Sequence, residues 1–187
     1  MQKNDPFGDE LPIITTERLR LRQPRMEDAE DMLGIFGDPK AMRYWSHEPW
    51  ADLDAARTYI AAIDTGFKDR KLFQWAITQP DEDRVIGTVT LVNWDRKNCH
   101  IELGYMLKPA LWGNGYASEA VRGAMAFAFE NLDVHRLEAE VDPRNEPSAR
   151  LLERLGFKQE GLLKERWFLY DEWSDSALYG LLRREYA

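Results

Sequence analysis

The 187-residue sequence contains one cysteine, Cys99. No intrachain disulfide can form, and no cysteine-rich zinc site can be assembled. The three histidines, His47, His100 and His135, stand far apart and show no HExxH spacing, so no metal is expected. Long apolar runs are missing too. The longest, Ala124 to Phe129, falls well short of the roughly 20 residues that span a membrane. The start, MQKNDPFGDELP, lacks the apolar segment of a secretory signal. Basic charge is in deficit: 25 Lys and Arg against 33 Asp and Glu give a net charge of −8. Neutralising phosphates requires a basic face, so nucleic acid is not an expected partner. A negative field favours cationic acceptors such as amines. Together these absences predict a soluble, cytoplasmic protein that works without metal, membrane or nucleic acid.

What is present is enough for a packed core. Hydrophobic residues make up 44% of the chain, too many for disorder. The length suits one domain over residues 1–187, with 1–12 expected as a flexible N-terminal extension. Alternation in TERLRLR predicts a strand over Thr16 to Arg22. Apolar residues at helical spacing predict a helix over about 26–36 and a second over about 52–67, capped by Asp52. Strands follow at Leu72 to Thr78, Val85 to Trp94 and Cys99 to Leu107, with turns at 80–83 and 95–98, as in an antiparallel meander. Then come a Gly-rich loop, a helix over about 117–132, a strand at Arg136 to Val141 and a helix over about 147–155 that Gly156 stops. Two strands, about 163–170 and 176–182, close the chain. Strands and helices mix without a regular βαβ repeat, which predicts an α+β or mixed-sheet α/β domain.

The segment Leu107 to Ala120, LKPALWGNGYASEA, carries the clearest chemical signal. A strand ends, Gly113 and Gly115 flank Asn114, and a helix begins at once. Glycines permit positive φ, and free N–H groups of a first helical turn suit a pyrophosphate. A plain strand-to-helix turn would also use two glycines. The loop is neither a dinucleotide fingerprint, since Ser118 stands where GxGxxG needs glycine, nor a P-loop, since no GK[ST] follows.

Five segments in order, TERLRLR, IELGYML, WGNGYASEA, HRLEAEV and NEPSARLLERLGF followed by EG, resemble the GNAT acetyltransferase superfamily. They look most like its branch of Rim-type ribosomal-protein N-terminal acetyltransferases, from Thr16 to about Tyr186. The resemblance implies a mostly antiparallel mixed sheet flanked by helices. The sheet would splay where two central parallel strands, Cys99–Leu107 and Arg136–Val141, part to admit acetyl-CoA. It implies that backbone groups near Met106 and Leu107 bind pantetheine, and that Trp112, Gly113, Asn114, Gly115, Tyr116 and Ala117 cradle the pyrophosphate. Asn145 would hold the pantetheine arm, although it also reads as a plain helix N-cap. Ala110 stands where the superfamily usually has Gln or Arg. Leu152 stands where many members place an acidic Tyr, a role the Rim-like branch gives to the serine at 148. Trp167 stands where some members carry a second Glu.

Acetyl transfer to an amine needs a base, an oxyanion site and a proton for the departing thiolate. Backbone N–H groups near Met106 suit the second need and Ser148 the third. Glu102 is the candidate base, sharing a strand face with Gly104 and Met106. An ion pair with Arg96 or Arg136 is the competing reading. The aromatic loop residues Tyr44, Trp45, His47 and Trp50 would line the acceptor side or form a satellite apolar cluster. The expected activity is acetyl transfer from acetyl-CoA to a primary amine. The acceptor would be a protein or peptide α-amino group, or alternatively a polyamine, amino acid or antibiotic. A non-catalytic acyl-CoA-binding module is a further alternative. The chain would act as a monomer or homodimer.

Overall fold

A computed structural model describes residues 7–186. Eight strands form one open sheet in the order β1-β2-β3-β4-β5-β6-β8-β7. They are β1 (Ile14–Thr15), β2 (Arg20–Arg22), β3 (Leu72–Thr78), β4 (Val85–Asp95), β5 (His100–Leu107), β6 (Arg136–Val141), β7 (Lys158–Leu169) and β8 (Glu172–Leu182). Every neighbouring pair is antiparallel except β5 and β6. The expected mixed, mostly antiparallel architecture is therefore present. The single strand expected over 16–22 is two short strands instead. The hydroxyl of Thr16 and the backbone of Leu19 close a tight turn between them.

Five helices cover the sheet: α1 (Ala29–Phe36), α2 (Pro39–Met42), α3 (Leu53–Lys68), α4 (Tyr116–Asn131) and α5 (Glu146–Arg154). Asp38-Pro39, just past the end of α1, starts α2: the Asp38 carboxylate accepts from the N–H groups of Lys40 and Ala41. Asp52 caps α3 by accepting from Ala55 N–H, as its position predicts.

Strand alternation sorts the core into two layers. Phe73, Trp75 and Ile77 of β3 join Ile101, Leu103 and Leu107 of β5 beneath α4 and α5. Val121, Ala124 and Ala128, at helical spacing along one face of α4, are fully buried there. On the other face, Ala76 and Met106 meet Met32, Ile35 and Phe36 of α1 and Ile60 and Ile63 of α3. Of the extension expected over 1–12, residues 7–12 lie against the sheet, and residues 1–6 lie outside the described residues. Phe7 stacks on Phe73 at 4.4 Å. Leu11 is buried and donates its N–H to Gln23 Oε1. Trp75 Nε1–H donates to the Pro12 carbonyl at 2.7 Å. Burying two large apolar side chains stabilises this segment more than its polar composition suggests.

Arg22 locks the second layer. It is 3% exposed and forks onto both oxygens of buried Asp28 at 2.7 Å, while its Nε donates to Asp83. This joins β2, the turn before α1 and the β3–β4 turn. Arg22→Ala strands Asp28 in the core without its counter-charge, so we expect a stability loss of about 3–5 kcal/mol, read from urea unfolding. A loss below 1 kcal/mol would show that the lock is dispensable.

Candidate active site

The two central strands pair only through His100–Arg136, Ile101–Leu137 and Glu102–Glu138. Beyond this point β5 stays with β4 as far as Leu107–Gly87, and β6 stays with β8 as far as Val141–Ala177. The sheet therefore splays. A groove of about 1680 Å³ runs from the split to the Gly-rich loop at one end and to the β7–β8 hairpin at the other.

The loop has the backbone its glycines predict. Gly113 and Gly115 have φ of +80° and +81°. Gly115 is the N-cap of α4, and no side chain caps that helix, so its first-turn N–H groups are left for another acceptor. The loop is anchored from outside. Arg18 donates to the Asn114 carbonyl and to Glu119 of α4, and its guanidinium lies 4.7 Å from the centre of the Tyr116 ring. Trp112 Nε1–H donates to the Leu107 carbonyl at 2.8 Å. Trp112, Gly113, Gly115, Tyr116 and Ala117 line the groove, with Met106 and Leu107 beside them. Asn114 does not line it: its amide turns back to the carbonyls of Leu111 and Trp112.

On the far wall, Asn145 caps α5, its side chain accepting from Ser148 N–H at 3.4 Å. Asn145 and Ser148 both line the groove. Ser148 Oγ shares a 2.6 Å hydrogen bond with Tyr105 Oη, which reaches across the split from β5. Burial pushes the Tyr105 phenol up to about 12, so it stays protonated near neutral pH. The segment IELGYML contains Tyr105, but the sequence assigns it no role. Alternation alone places its ring on the face opposite Glu102, and only the packing of α5 against β5 brings it to Ser148. Leu152 is fully buried against the groove floor, where it offers no proton.

Glu102 is half-buried where the strands part. Burial raises its pKa above the usual carboxylate value, Asn93 opposes that shift, and Glu140 and Glu138 add to it. The ion-pair reading fails here. Arg136 binds Glu138 and Glu160, and Arg96 lies over the Trp94 ring at 4.2 Å. The partner of Glu102 is instead Asn93, whose Nδ2 donates to Oε2 at 2.8 Å.

The aromatic loop divides. Tyr44 and Trp45 line the groove. Trp50 stacks on Phe36 at 4.5 Å and belongs to the apolar cluster around α1, as the competing reading held. His47 lies parallel to Trp50, and its Nδ1 meets the Glu48 carbonyl. Neither His47 nor Trp50 lines the groove, because the loop turns both toward that cluster. Trp167, Leu169 and Tyr170 of the hairpin face Tyr44 and Trp45 across the mouth. Arg144 ties this mouth together, donating to Glu172 at 2.8 Å with its guanidinium over the Tyr44 ring.

This geometry agrees with comparisons to known proteins. The profile of the Acetyltransferase (GNAT) domain matches residues 18–158. The chain belongs to the GNAT acetyltransferase family. Among curated GNAT relatives, it is 37% identical over 177 residues to an uncharacterised N-acetyltransferase, p20, of Bacillus licheniformis, covering 95% of this chain and 99% of that one. It is 28% identical to the ribosomal protein uS5-alanine N-acetyltransferase of Escherichia coli, covering 90% and 89%. A solved structure of spermidine N-acetyltransferase from Vibrio cholerae, in complex with CoA and spermine, shares the fold. Its TM-score is 0.81 at 22% identity, over 91% of this chain and 99% of that one. The protein is thus a GNAT N-acetyltransferase with Rim-like relatives.

The Tyr105–Ser148 contact is separable by a double-mutant cycle. Tyr105→Phe and Ser148→Ala together should show a coupling of about 1 kcal/mol in unfolding free energy. Strict additivity would mean that the hydrogen bond contributes nothing.

Proposed function

We propose that the protein transfers an acetyl group from acetyl-CoA directly to a primary amine, and that the acceptor is the α-amino group of a protein or peptide. The observation that carries this reading is the continuous groove through the split sheet. It joins an uncapped helix N-terminus, suited to pyrophosphate, to a carboxylate at the strand junction. Its volume exceeds that of a single small-molecule pocket, leaving room for a cosubstrate and an acceptor together.

Each wall has a task in this reading. Gly113, Gly115 and the first turn of α4 receive the pyrophosphate through backbone N–H groups. Trp112, Asn114, Tyr116 and Ala117 shape that turn. Backbone near Met106 and Leu107 and the Asn145 amide hold the pantetheine arm in the split. Glu102 takes a proton from the acceptor ammonium. The free amine then attacks the acetyl carbonyl, whose oxygen is stabilised by N–H groups near Met106. As the carbon–sulfur bond breaks, Ser148 donates to the thiolate. Tyr105, protonated near neutral pH, can donate its hydrogen bond to Ser148 Oγ and so leave the serine hydrogen free to point at the sulfur.

The open mouth between Tyr44, Trp45 and Trp167 suits an extended chain, and the uS5-alanine relative supports a protein N-terminus. A second reading, a small polycationic amine, draws support from Glu138 and Glu140 beside Glu102 and from the spermidine enzyme's shared fold.

Thiol release from acetyl-CoA, measured with free-N-terminus peptides and with polyamines, separates these readings. Peptides should be the better acceptors by kcat/KM, and a preference for polyamines would favour the second reading. Gly115→Val should leave the protein folded and weaken CoA binding at least tenfold by calorimetry, because a β-branched residue resists φ near +81° and its Cβ would sit 3.2 Å from Arg18 Nη2. Unchanged affinity would remove the loop from the cosubstrate site.

A further inference from the structure

Strand β4 departs from regular pairing beside Glu102. Val92 opposes Glu102 and Asp95 opposes His100, so two residues of β4, Asn93 and Trp94, face the single residue Ile101. This is a β-bulge, and Asn93 occupies it with φ of +55°. Regular alternation would put Leu91 and Asn93 on the α4 face and Trp94 on the groove face. The extra residue resets the pattern. Trp94 packs edge-on to Phe73 in the α4 layer, and Asn93 joins Val92 on the groove side. Asparagine is among the few residues other than glycine that adopt this backbone readily. There its amide reaches Glu102 Oε2 at 2.8 Å, and Oε1 has no hydrogen bond among the described residues.

We propose that Asn93 is a positioning residue for the reaction: the bulge presents its amide to one oxygen of Glu102, fixing the carboxylate so that the other faces the acceptor amine. The inference rests on the reading of Glu102 as the base. The bulge and the amide act together. An ordinary strand residue would point the wrong way, and glycine would keep the bulge without the donor. Around Glu102, Glu138 and Glu140 of β6 oppose its ionisation and Arg166 of β7 favours it, Arg136 of β6 and Glu160 of β7 line the same pocket paired with each other, and His100 of β5 lies against Glu138. Against two carboxylates, a neutral donor holds the ionised form without adding a charge that would repel an ammonium acceptor.

The test compares Asn93→Gly, Asn93→Asp and Glu102→Gln with the unaltered protein. It reads the NMR titration of the Glu102 side-chain carboxyl and the acidic limb of kcat/KM against pH. A base must be ionised to act, so activity falls as pH drops through its pKa. Without the amide, Asn93→Gly should move both the titration and the limb upward by about one pH unit, as expected for losing one hydrogen bond to a charged group. Asn93→Asp should move them further, because it adds a like charge. CoA affinity should stay unchanged, and Glu102→Gln should abolish the limb. If the Glu102 titration does not move in Asn93→Gly, the proposal fails at Asn93. If the titration moves while the limb stays fixed, or if Glu102→Gln keeps the limb, it fails at the base reading instead.

Discussion

The parting of β5 from β6 is the constraint on which the rest of the molecule depends. Three residue pairs hold the two central strands together, and then each follows its outer neighbour. A parallel pair inside a continuous sheet would satisfy its backbone along its full length. Here that pairing is given up over the C-terminal part of β5. The opening is kept by what packs around it: α4 and α5 below, the Tyr44–Trp45 loop on one side and the β7–β8 hairpin on the other. The two helix N-termini, at Tyr116 and Glu146, flank the split at its open end.

The chemistry follows from where each element meets this opening. Glu102 lies at the last paired position, half-buried, with the carboxylates of Glu138 and Glu140 for neighbours. Tyr105, three residues on, has its side chain on the opposite face and reaches Ser148 on α5. The split thus places a carboxylate with a raised pKa on one side and a tightly held phenol proton on the other. Both shifts have the same cause, burial at the walls of the split, which disfavours the charged form of each group.

Several long-range links keep the opening in shape. Arg18 fastens the Gly-rich loop from the turn before β2. Arg144 connects the β6–α5 turn to the hairpin and covers Tyr44. Arg22 holds the helical layer that supports the aromatic loop. Each of the three joins segments distant in sequence, and each uses the planar guanidinium fork on carboxylates or carbonyls.

Local signals along the sequence specify the order of elements from β3 to β8, the Gly-rich loop and the family. Period-two and helical patterns, Asp52, the glycines at 113 and 115 and the five family motifs are local signals, readable without any neighbour in space. The bounds of β3 and β6 and the inner stripe of α4 follow from the same local pattern. Tertiary structure decided what local patterns leave open. Phe7 and Leu11 lie in a polar-looking segment, and only the surface offered by Phe73 and the strands gives them a place to be buried. Trp50 and Trp45 are equivalent as aromatics in one loop, and both pack around Phe36, yet only Trp45 also lines the groove. Asn93 reads as an ordinary strand residue until a bulge, set by the burial of Trp94 against Phe73, turns it toward Glu102. The partners of Glu102 and Ser148 come from strands and helices that meet only when the sheet is built. Contacts across the split depend on which strands and helices lie side by side, and that is settled by packing, not by neighbours along the chain.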